Sequence, residues 1–351
     1  MYTISHRSGW IAVTVAAAGL GLASTAVQAT PLAQDGFEGY TNGSTVSGQS
    51  GGTGWGGAWN NVQGGAQARM LTVGQSGGWP DGHQYIGPDM GPDTGTGHMG
   101  IRGGPNSFVS RQLSAPITGQ DVYLGYIANS AFMDQGFVGL SNNPITKVAE
   151  PATVNNDPNT LTGADWNGHM GAAIRMNGFD PNAFGTGKGG AANRHIYAHN
   201  FFSFSRNGDG PNAAFPGSRE SFGVLDDPNN PSQVIVRIRW DGGIGGYRYV
   251  DVWINPADVN SLGTPDSTRD AGIQGAFNNP LTSTNGFLIN PTSFSYVVAW
   301  GENGNNFSGL FVDNVRVGLT ASSVVVPEPG SLVLLGAGAL MLVARRRLAR
   351  A

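Results

Sequence analysis

The stretch VIVRIRW at residues 234–240 has an apolar side chain at every second position, and YRYVDVWI at residues 247–254 alternates in the same way. Alternate residues of an extended chain point to opposite faces, so Val236 and its even-numbered neighbours share one face while Arg237 lies on the other. Turn-forming residues at 241–243 separate the two stretches. The pair therefore predicts two antiparallel strands joined by a tight turn, each with one buried face.

Further segments of the chain show the same period of two, at residues 107–113, 122–128, 170–176, 293–300 and 310–317. The sequence holds 56 glycines among 351 residues, and no long helical pattern separates these segments. Short strands with glycine, asparagine and proline between them are typical of antiparallel sandwiches. The pattern predicts an all-β fold, an antiparallel β-sandwich formed as one domain by residues 30–320.

The polar face of the predicted hairpin is the candidate ligand-binding surface. It carries Arg237 and Arg239 on the first strand and Tyr249, Asp251 and Trp253 on the second. Aromatic rings beside hydrogen-bonding groups are what a sugar-binding surface needs. The same side chains also fit a second buried layer, in which loops cover this face of the sheet. The sequence alone leaves both interpretations open.

Motifs for catalysis are weak in this chain. Residues 48–52 and 74–78 both fit G-x-S-x-G, but neither has the strand-to-helix context of a nucleophile elbow. His195 and His199 are four apart in a segment that reads as strand or loop, with no third zinc ligand close in sequence. Glycosidases need two carboxylates that bracket the bond, and the five glutamates of the chain are widely scattered. We expect no enzymatic activity, and a polysaccharide hydrolase or lyase is the alternative.

Two loops are rich in oxygen ligands, one at residues 207–210 and the other at 226–230. Ca²⁺ prefers such ligands, and ordinary turn chemistry explains the same residues. The sequence therefore assigns no cofactor and leaves a calcium site open, without fixing its ligands. The chain has no cysteine, which excludes disulfides and thiolate chemistry.

The N-terminus has the pattern of a secretory signal peptide. His6 and Arg7 supply positive charge, residues 11–23 are apolar, and Val-Gln-Ala places small residues at the cleavage positions up to Ala29. The apolar run is shorter than the roughly 20 residues of a spanning helix. We expect signal peptidase to cut after Ala29 and to remove residues 1–29 during export.

The C-terminus has three parts in a fixed order: a Pro-Glu-Pro motif, an uncharged apolar stretch at 332–344, and a cluster of arginines. The charged and proline residues of these parts are Pro327, Glu328, Pro329, Arg345, Arg346 and Arg347. Arginines stay on the cytoplasmic side of a membrane. We expect the apolar stretch to form a short transmembrane helix, but its 13 residues are marginal for permanent anchoring, because the hydrocarbon core takes about 20 residues to cross. We therefore expect transient insertion.

This tail resembles the PEP-CTERM sorting signal of Gram-negative, biofilm-forming bacteria. The resemblance implies that residues 327–351 are a sorting signal, joined to the domain by a linker at 321–326. It also implies that an exosortase, a membrane-embedded protease, cleaves near the Pro-Glu-Pro motif. The protein is then anchored briefly in the inner membrane and released to the cell surface or the extracellular matrix.

Parts of the ectodomain resemble concanavalin A-like, LamG-type jelly rolls. Residues 35–40 and 48–52 resemble the opening of such domains, and VDNVRV at 312–317 resembles their terminal strand, which pairs back near the first. Asp313 has the same parity as Val315 in that strand. An acid at an inward position needs partners, so we expect Asp313 to hold a neighbouring turn through backbone N–H groups.

The charge of the ectodomain limits its partners. Five of the 19 Lys and Arg residues and one of the 23 acidic residues, Glu328, lie in the two ends, so 14 basic residues remain against 22 acidic ones. An acidic ectodomain binds nucleic acid poorly, because phosphate contacts dominate that affinity. We expect an exported, exosortase-processed surface or matrix protein with a non-catalytic sandwich that binds glycan, such as exopolysaccharide. A purely structural matrix protein without a ligand is a further alternative.

Overall fold

The structure, a computed structural model, describes fourteen stretches of the chain. They are residues 29–61, 68–72, 76–78, 84–86, 97–102, 107–131, 135–142, 169–176, 194–200, 223–224, 231–258, 261–270, 291–302 and 309–325. Within these stretches the strands pair antiparallel throughout, and the helical structure is one four-residue turn.

Seventeen strands and one helix make up the described fold. In chain order they are β1 (Ala33–Asp35), β2 (Asn60–Asn61), β3 (Ala68–Thr72), β4 (Ser76–Gly78), β5 (Gln84–Ile86), β6 (Gly97–Arg102), β7 (Ser107–Ile117), β8 (Val122–Ala131), β9 (Gln135–Ser141), β10 (His169–Met176), β11 (Arg194–Asn200), β12 (Gly223–Val224), β13 (Ser232–Asp241), β14 (Gly246–Ile254), β15 (Ser267–Asp270), β16 (Phe294–Glu302), β17 (Gly309–Gly318) and α1 (Ala321–Val324).

These strands form two large sheets and a small hairpin. The larger sheet has eight strands in the order β15-β14-β13-β8-β17-β6-β3, and β1 also pairs with β17. The second sheet has seven strands in the order β12-β11-β10-β9-β16-β7-β2, while β4 pairs with β5 alone. Four of the segments predicted from period two lie within β7, β8, β10 and β17, the segment at 293–300 overlaps β16 from Phe294 onward, and the predicted hairpin is β13–β14. The all-β, antiparallel fold class is therefore confirmed.

The core lies between the two sheets. On β13 the side chains of Val234, Val236 and Ile238 are fully buried in it, and on β16 those of Val297 and Ala299 are buried in the same cluster. Burial of a valine or isoleucine side chain contributes about 1.5–3 kcal/mol, so the alternation of apolar residues fixes which face of each strand turns inward.

The first and last strands close the larger sheet. Ala33 of β1 lies opposite Val317 of β17, and Asp35 lies opposite Val315. This pairing is the one that the resemblance to jelly rolls implies. It makes both ends of the domain part of one continuous sheet, so neither strand is a removable extension.

A β-bulge interrupts β17 between Asp313 and Arg316. Asn314, inside the bulge, has a φ of 49°, a left-handed conformation that asparagine tolerates better than most residues. Val312 faces the core before the bulge and Val315 faces it afterwards. Because the bulge shifts the alternation, even-numbered residues of β17 face the core before it and odd-numbered residues face the core after it.

A short segment, residues 320–325, returns over the outer face of the larger sheet, and we call it the C-terminal strap. Thr320 precedes the single turn of α1, and the Ser323 Oγ donates a hydrogen bond of 2.6 Å to the Thr320 carbonyl. Val324 and Val325 are buried against the outer face of the sheet. The sequence predicts a linker at 321–326, whereas residues 321–325 pack on the sandwich because two consecutive valines lose contact with water there.

Candidate functional site

The predicted ligand-binding face is built on the outer side of β13 and β14. The Asp251 carboxylate is buried and accepts two hydrogen bonds at its Oδ2 from Arg237, at 3.0 Å from Nε and 2.7 Å from Nη2. The Arg239 Nε lies 2.9 Å from the same oxygen. The side chains of Arg237 and Arg239 are 30% and 36% exposed. Two partly exposed guanidinium groups therefore share one carboxylate, which leaves one positive charge without a counter-charge within this triad.

A second arginine cluster flanks Tyr249 on β14. The guanidinium carbons of Arg239 and Arg248 lie 4.3 and 4.8 Å from the Tyr249 ring centroid, within the range of cation–π contact. Arg248 donates to both oxygens of Asp270, at 2.7 and 2.9 Å, and to Asp241 at 3.1 Å. These hydrogen bonds, offset in part by burial, raise the pKa of Arg248. The charge of Arg248 is thus neutralised within the protein.

The prediction that the Trp253 ring lies on the exposed binding face is not met, because the ring is buried. The indole is only 4% exposed, because Ile235, Leu262 and the strap residue Val324 pack in the same outer cluster. Its Nε1 donates to the Gly263 carbonyl at 3.3 Å. The outer face therefore combines the two interpretations that the sequence left open: a buried layer around Trp253, and a partly exposed polar area around Arg237, Arg239 and Tyr249.

A buried ion pair crosses the core between the sheets, and sequence reasoning missed it. Asp35 of β1 and Arg111 of β7 are each 2% exposed and form a direct salt bridge through Nη1 and Oδ2. The same Oδ2 accepts from Trp59 Nε1 at 2.9 Å and from the Tyr40 hydroxyl at 3.1 Å, while Oδ1 accepts from the Phe37 N–H at 2.9 Å. The one indication in the sequence that Asp35 is buried was its position two residues after the apolar Ala33, on the same face of an extended chain.

Aromatic rings surround this ion pair. The guanidinium carbon of Arg111 lies 4.6 Å from the Trp55 ring centroid and 5.6 Å from that of Trp59. Burial lowers the pKa of Arg111 and the charge of Asp35 partly offsets this, whereas burial and the Asp35 charge raise the pKa of Tyr40. Because the charges are enclosed, the cluster joins the sheets and offers no access to a substrate.

Three other polar side chains are buried on the outer side of the larger sheet. Asp313 is fully buried, and its Oδ1 accepts the Asn314 N–H at 2.6 Å, which stabilises the bulge. The inward position predicted from its parity with Val315 is wrong, because the bulge shifts the alternation between the two residues. Both nitrogens of His98, both polar atoms of Asn129 and the Asp313 Oδ2 have no hydrogen-bond partner among the described residues. Burial raises the pKa of Asp313 to about 8 and lowers that of His98 to about 4. Both side chains are therefore neutral at pH 7.

The weak catalytic motifs lack the geometry that catalysis needs. Ser50 is exposed in an irregular segment, and Ser76 begins β4, so neither lies in a strand-to-helix turn. His195 and His199 both lie on β11, where a separation of four residues spans about 13 Å.

Metal ligands and a surface groove are further features of the described part of the chain. No group of three or more His, Asp or Glu side chains there is arranged to hold a metal ion. A groove of about 210 Å³ lies between the ends of β7 and β17, and its lining includes the exposed Leu32 and Leu319 and no charged residue. The lining also includes Ser114 and Gln120, whose side chains are polar.

Most of the predicted processing residues lie outside the described residues. Ala29 is the first residue described and belongs to no strand or helix. The residues that are not described are Pro327, Glu328, Pro329, Arg345, Arg346 and Arg347, together with the predicted helix at 332–344 and the loops at 207–210 and 226–230. Among the residues that are, no helix has the length and apolar character to cross a membrane.

Comparison with solved structures gives several matches of low similarity. Lectin I-B4 from Griffonia simplicifolia is 12% identical, with a TM-score of 0.34 over 74% of this chain and 91% of the lectin. A β-1,3-glucanase from Mycobacterium marinum is 15% identical, with a TM-score of 0.35 over 82% of this chain and 99% of the glucanase. The carbohydrate recognition domain of Emp47p is 10% identical, with a TM-score of 0.34 over 74% of this chain and 91% of that domain.

Sequence comparison is more specific at the C-terminus. No curated protein sequence matches the chain. The family model of the PEP-CTERM protein-sorting motif matches residues 325–347, which contain the Pro-Glu-Pro motif, the apolar stretch and the arginine cluster. The resemblance predicted for the tail is thereby confirmed. The chain carries a PEP-CTERM protein-sorting motif, which marks it for export to the cell surface with processing by an exosortase.

Proposed function

We propose that this protein is an exosortase-sorted component of the cell surface or extracellular matrix whose sandwich is non-catalytic and binds acidic polysaccharide. The sorting motif supports the location, and the outer face of β13–β14 supports the ligand class. The binding surface consists of Arg237, Arg239 and the edge of Tyr249, with Asp251 behind them. Trp253 is not part of it, because its indole is covered.

The observation that carries this proposal is the sharing of one buried carboxylate by two partly exposed guanidinium groups. Asp251 neutralises one of the two charges, so the triad of Arg237, Arg239 and Asp251 carries a net positive charge. Each guanidinium has five N–H donors, and the contacts with Asp251 use only some of them. The remaining donors suit the carboxylate and hydroxyl oxygens of a uronic-acid polymer.

Retention on immobilised polysaccharide tests the proposal. The mature protein, purified from the exporting cell, is passed over a polyuronate and over a neutral glucan at several salt concentrations. We expect retention on the polyuronate that weakens as salt increases, and little retention on the glucan. Arg239→Gln is expected to reduce the affinity about tenfold or more, since it removes a charge-assisted contact worth about 1.5–3 kcal/mol.

Arg248→Gln is the matched control for this experiment. It changes the net charge of the protein by the same amount, but its guanidinium is already paired with Asp270 and Asp241. If binding follows the local site, Arg248→Gln weakens it much less than Arg239→Gln does. Equal losses in the two variants, or no retention of the unaltered protein, would refute the proposed surface.

Absence of catalysis is a separate part of the proposal and has its own test. The carboxylates on the candidate face are tied to arginines, and paired carboxylates in such contacts are poor general acids. We expect no reducing sugar and no unsaturated product when the mature protein is incubated with polyuronate or glucan. Release of either product, lost on a single Asp or His substitution, would assign the protein to the hydrolases or lyases.

A further inference from the structure

The C-terminal strap, residues 320–325, is seated by two glycines. A Cβ at Gly125 of β8 would lie 2.1 Å from the Val324 carbonyl oxygen, and one at Gly318 would lie 1.9 Å from the Ser323 Oγ. Real Cβ atoms do not approach backbone oxygen so closely, so the strap occupies space that only glycine leaves free. The fit shows a specific docking site on the sheet for this segment.

Hydrogen bonding and apolar burial hold the end of the strap. The Arg316 Nη1 donates to the Val325 carbonyl at 2.7 Å. Val324 is fully buried and Val325 is 7% exposed, in one cluster with Ile235 and Trp253. Backbone that is buried and hydrogen-bonded in this way resists proteolysis, because a protease needs an accessible, extended chain.

The strap ends where the sorting motif begins. The match to the motif starts at Val325, and Pro327 of the Pro-Glu-Pro sequence is only two residues further on. Two residues of extended chain span at most about 7 Å. With the strap docked, the start of the Pro-Glu-Pro motif can therefore lie no more than about 7 Å from Val325.

We infer that the strap is a latch on exosortase processing: the Pro-Glu-Pro motif becomes a substrate only when residues 320–325 leave the sheet. The rate of cleavage then follows the equilibrium between docked and released strap, as it does for proteolysis at other locally opened sites. Gly125 and Arg316 act as positioning residues, since they hold the strap without contacting the bond that is cut. This inference depends on the sorting motif and is independent of the proposed polysaccharide binding.

Pulse–chase measurement of processing in the exporting strain tests the latch. The readout is the half-life of the unprocessed full chain, with mass spectrometry to identify the cut. Gly125→Ala places a methyl group against the Val324 carbonyl, and we expect processing to become about five- to thirty-fold faster. Gly242→Ala, at a turn position where a Cβ meets nothing within 4 Å, is the matched control and should leave the half-life unchanged.

A second variant covers the case in which Gly125→Ala fails to fold. Eight Gly and Ser residues inserted between Val325 and Val326 leave the strap docked but move the Pro-Glu-Pro motif away from the sheet. We expect this insertion to accelerate processing to a similar extent, and to remove any further effect of Gly125→Ala. Unchanged or slower processing in the insertion variant would overturn the inference, because the docked strap would then not limit access.

Discussion

Two buried carboxylates of this domain have opposite surroundings. Asp35 receives the guanidinium of Arg111, an indole N–H, a hydroxyl and a backbone N–H. Asp313 receives one backbone N–H, and its other oxygen has no partner among the described residues. An ionised carboxylate needs several donors or an opposite charge to be stable away from water. The first is therefore a cross-link between sheets, whereas the second is a neutral acid that supports a bulge.

Removal of one partner of the Asp35–Arg111 ion pair should destabilise the domain. In Arg111→Met the Asp35 carboxylate loses the guanidinium group that it pairs with, and we expect the free energy of unfolding to fall by about 3–5 kcal/mol. Urea unfolding of the mature protein, followed by tryptophan fluorescence, measures this. The double variant Asp35→Leu with Arg111→Met should recover part of the loss, because it leaves no charge unpaired. A single substitution that costs less than 1 kcal/mol would contradict this reading of the pair.

Asp313 should make stability depend on pH. Burial first, and then the charges of Glu38 and Asp35, raise its pKa to about 8 from an ordinary 3.8, although the Asn314 N–H and Arg316 oppose the shift. The folded domain keeps a proton that the unfolded chain loses. The contribution of Asp313 to the free energy of unfolding is thus fully present below about pH 4. It decreases by about 1.4 kcal/mol per pH unit between about pH 4 and 8. Asp313→Asn is expected to remove this decline.

His98 opposes Asp313 in the acidic range. Burial lowers its pKa to about 4 from an ordinary 6.5, so its contribution is present above pH 6.5 and is lost as the pH falls towards 4. The two slopes cancel below about pH 6.5, and Asp313 acts alone between about 6.5 and 8. Urea unfolding across that upper interval is therefore the informative measurement. A free energy of unfolding that stays constant there in the unaltered protein would contradict the raised pKa of Asp313.

At the scale of elements, the alternation of apolar residues predicts where several strands lie, but it does not predict what packs on their outer faces. The hairpin β13–β14 and its inward valines follow from period two, because every second residue on the inward face of each strand is apolar. β9 and β15 were missed, since QGFVGLS and STRD have few apolar positions at period two. The cover over Trp253 was not predictable either, because it comes from valines about 70 residues later whose own segment resembles a linker.

The segment that follows β1 shows how backbone contact restricts an element. Gly54 has a φ of 79°, and a Cβ there would lie 1.8 Å from the Leu32 carbonyl oxygen. Gly54→Ala is therefore expected to lower the free energy of unfolding by at least about 1–3 kcal/mol, from backbone strain and the clash with β1. Thermal unfolding monitored by circular dichroism measures the change. Gly57→Ala, where a Cβ meets nothing within 4 Å, is the control, and equal effects would rule out the close approach as the cause.

At the scale of the whole molecule, the sheets are joined at more than one place. Asp35 and Arg111 connect them through the core, and at another edge the Ala198 N–H of β11 donates to the Ser267 Oγ of β15 at 2.9 Å. The sandwich was predictable as a class from alternation and turn residues. These connections were not, because each joins residues that are 69 or 76 positions apart and carry no mark in the sequence.

Processing at both ends gives a prediction for the mature protein as a whole. We expect the mature polypeptide to begin at Thr30, after removal of residues 1–29, and to lack the apolar stretch at 332–344. Intact-mass spectrometry of the protein from the cell surface and the medium measures both ends. In a strain without exosortase, the full tail should remain. Retention of residues 332–351 in the released protein of the unaltered strain would contradict transient anchoring.

Because β1 pairs with β17, the larger sheet can close only after almost the whole domain has been exported. Asp35 and its partner Val315 are 280 positions apart, so a strand that emerges early must wait for one that emerges last. Closing so long a loop is slow. The apolar stretch at 332–344, which we expect to insert transiently into the membrane, begins only 15 residues after Val317. We therefore expect the sandwich to close while the chain is still anchored, and a chain that stalls before closure to stay at the membrane.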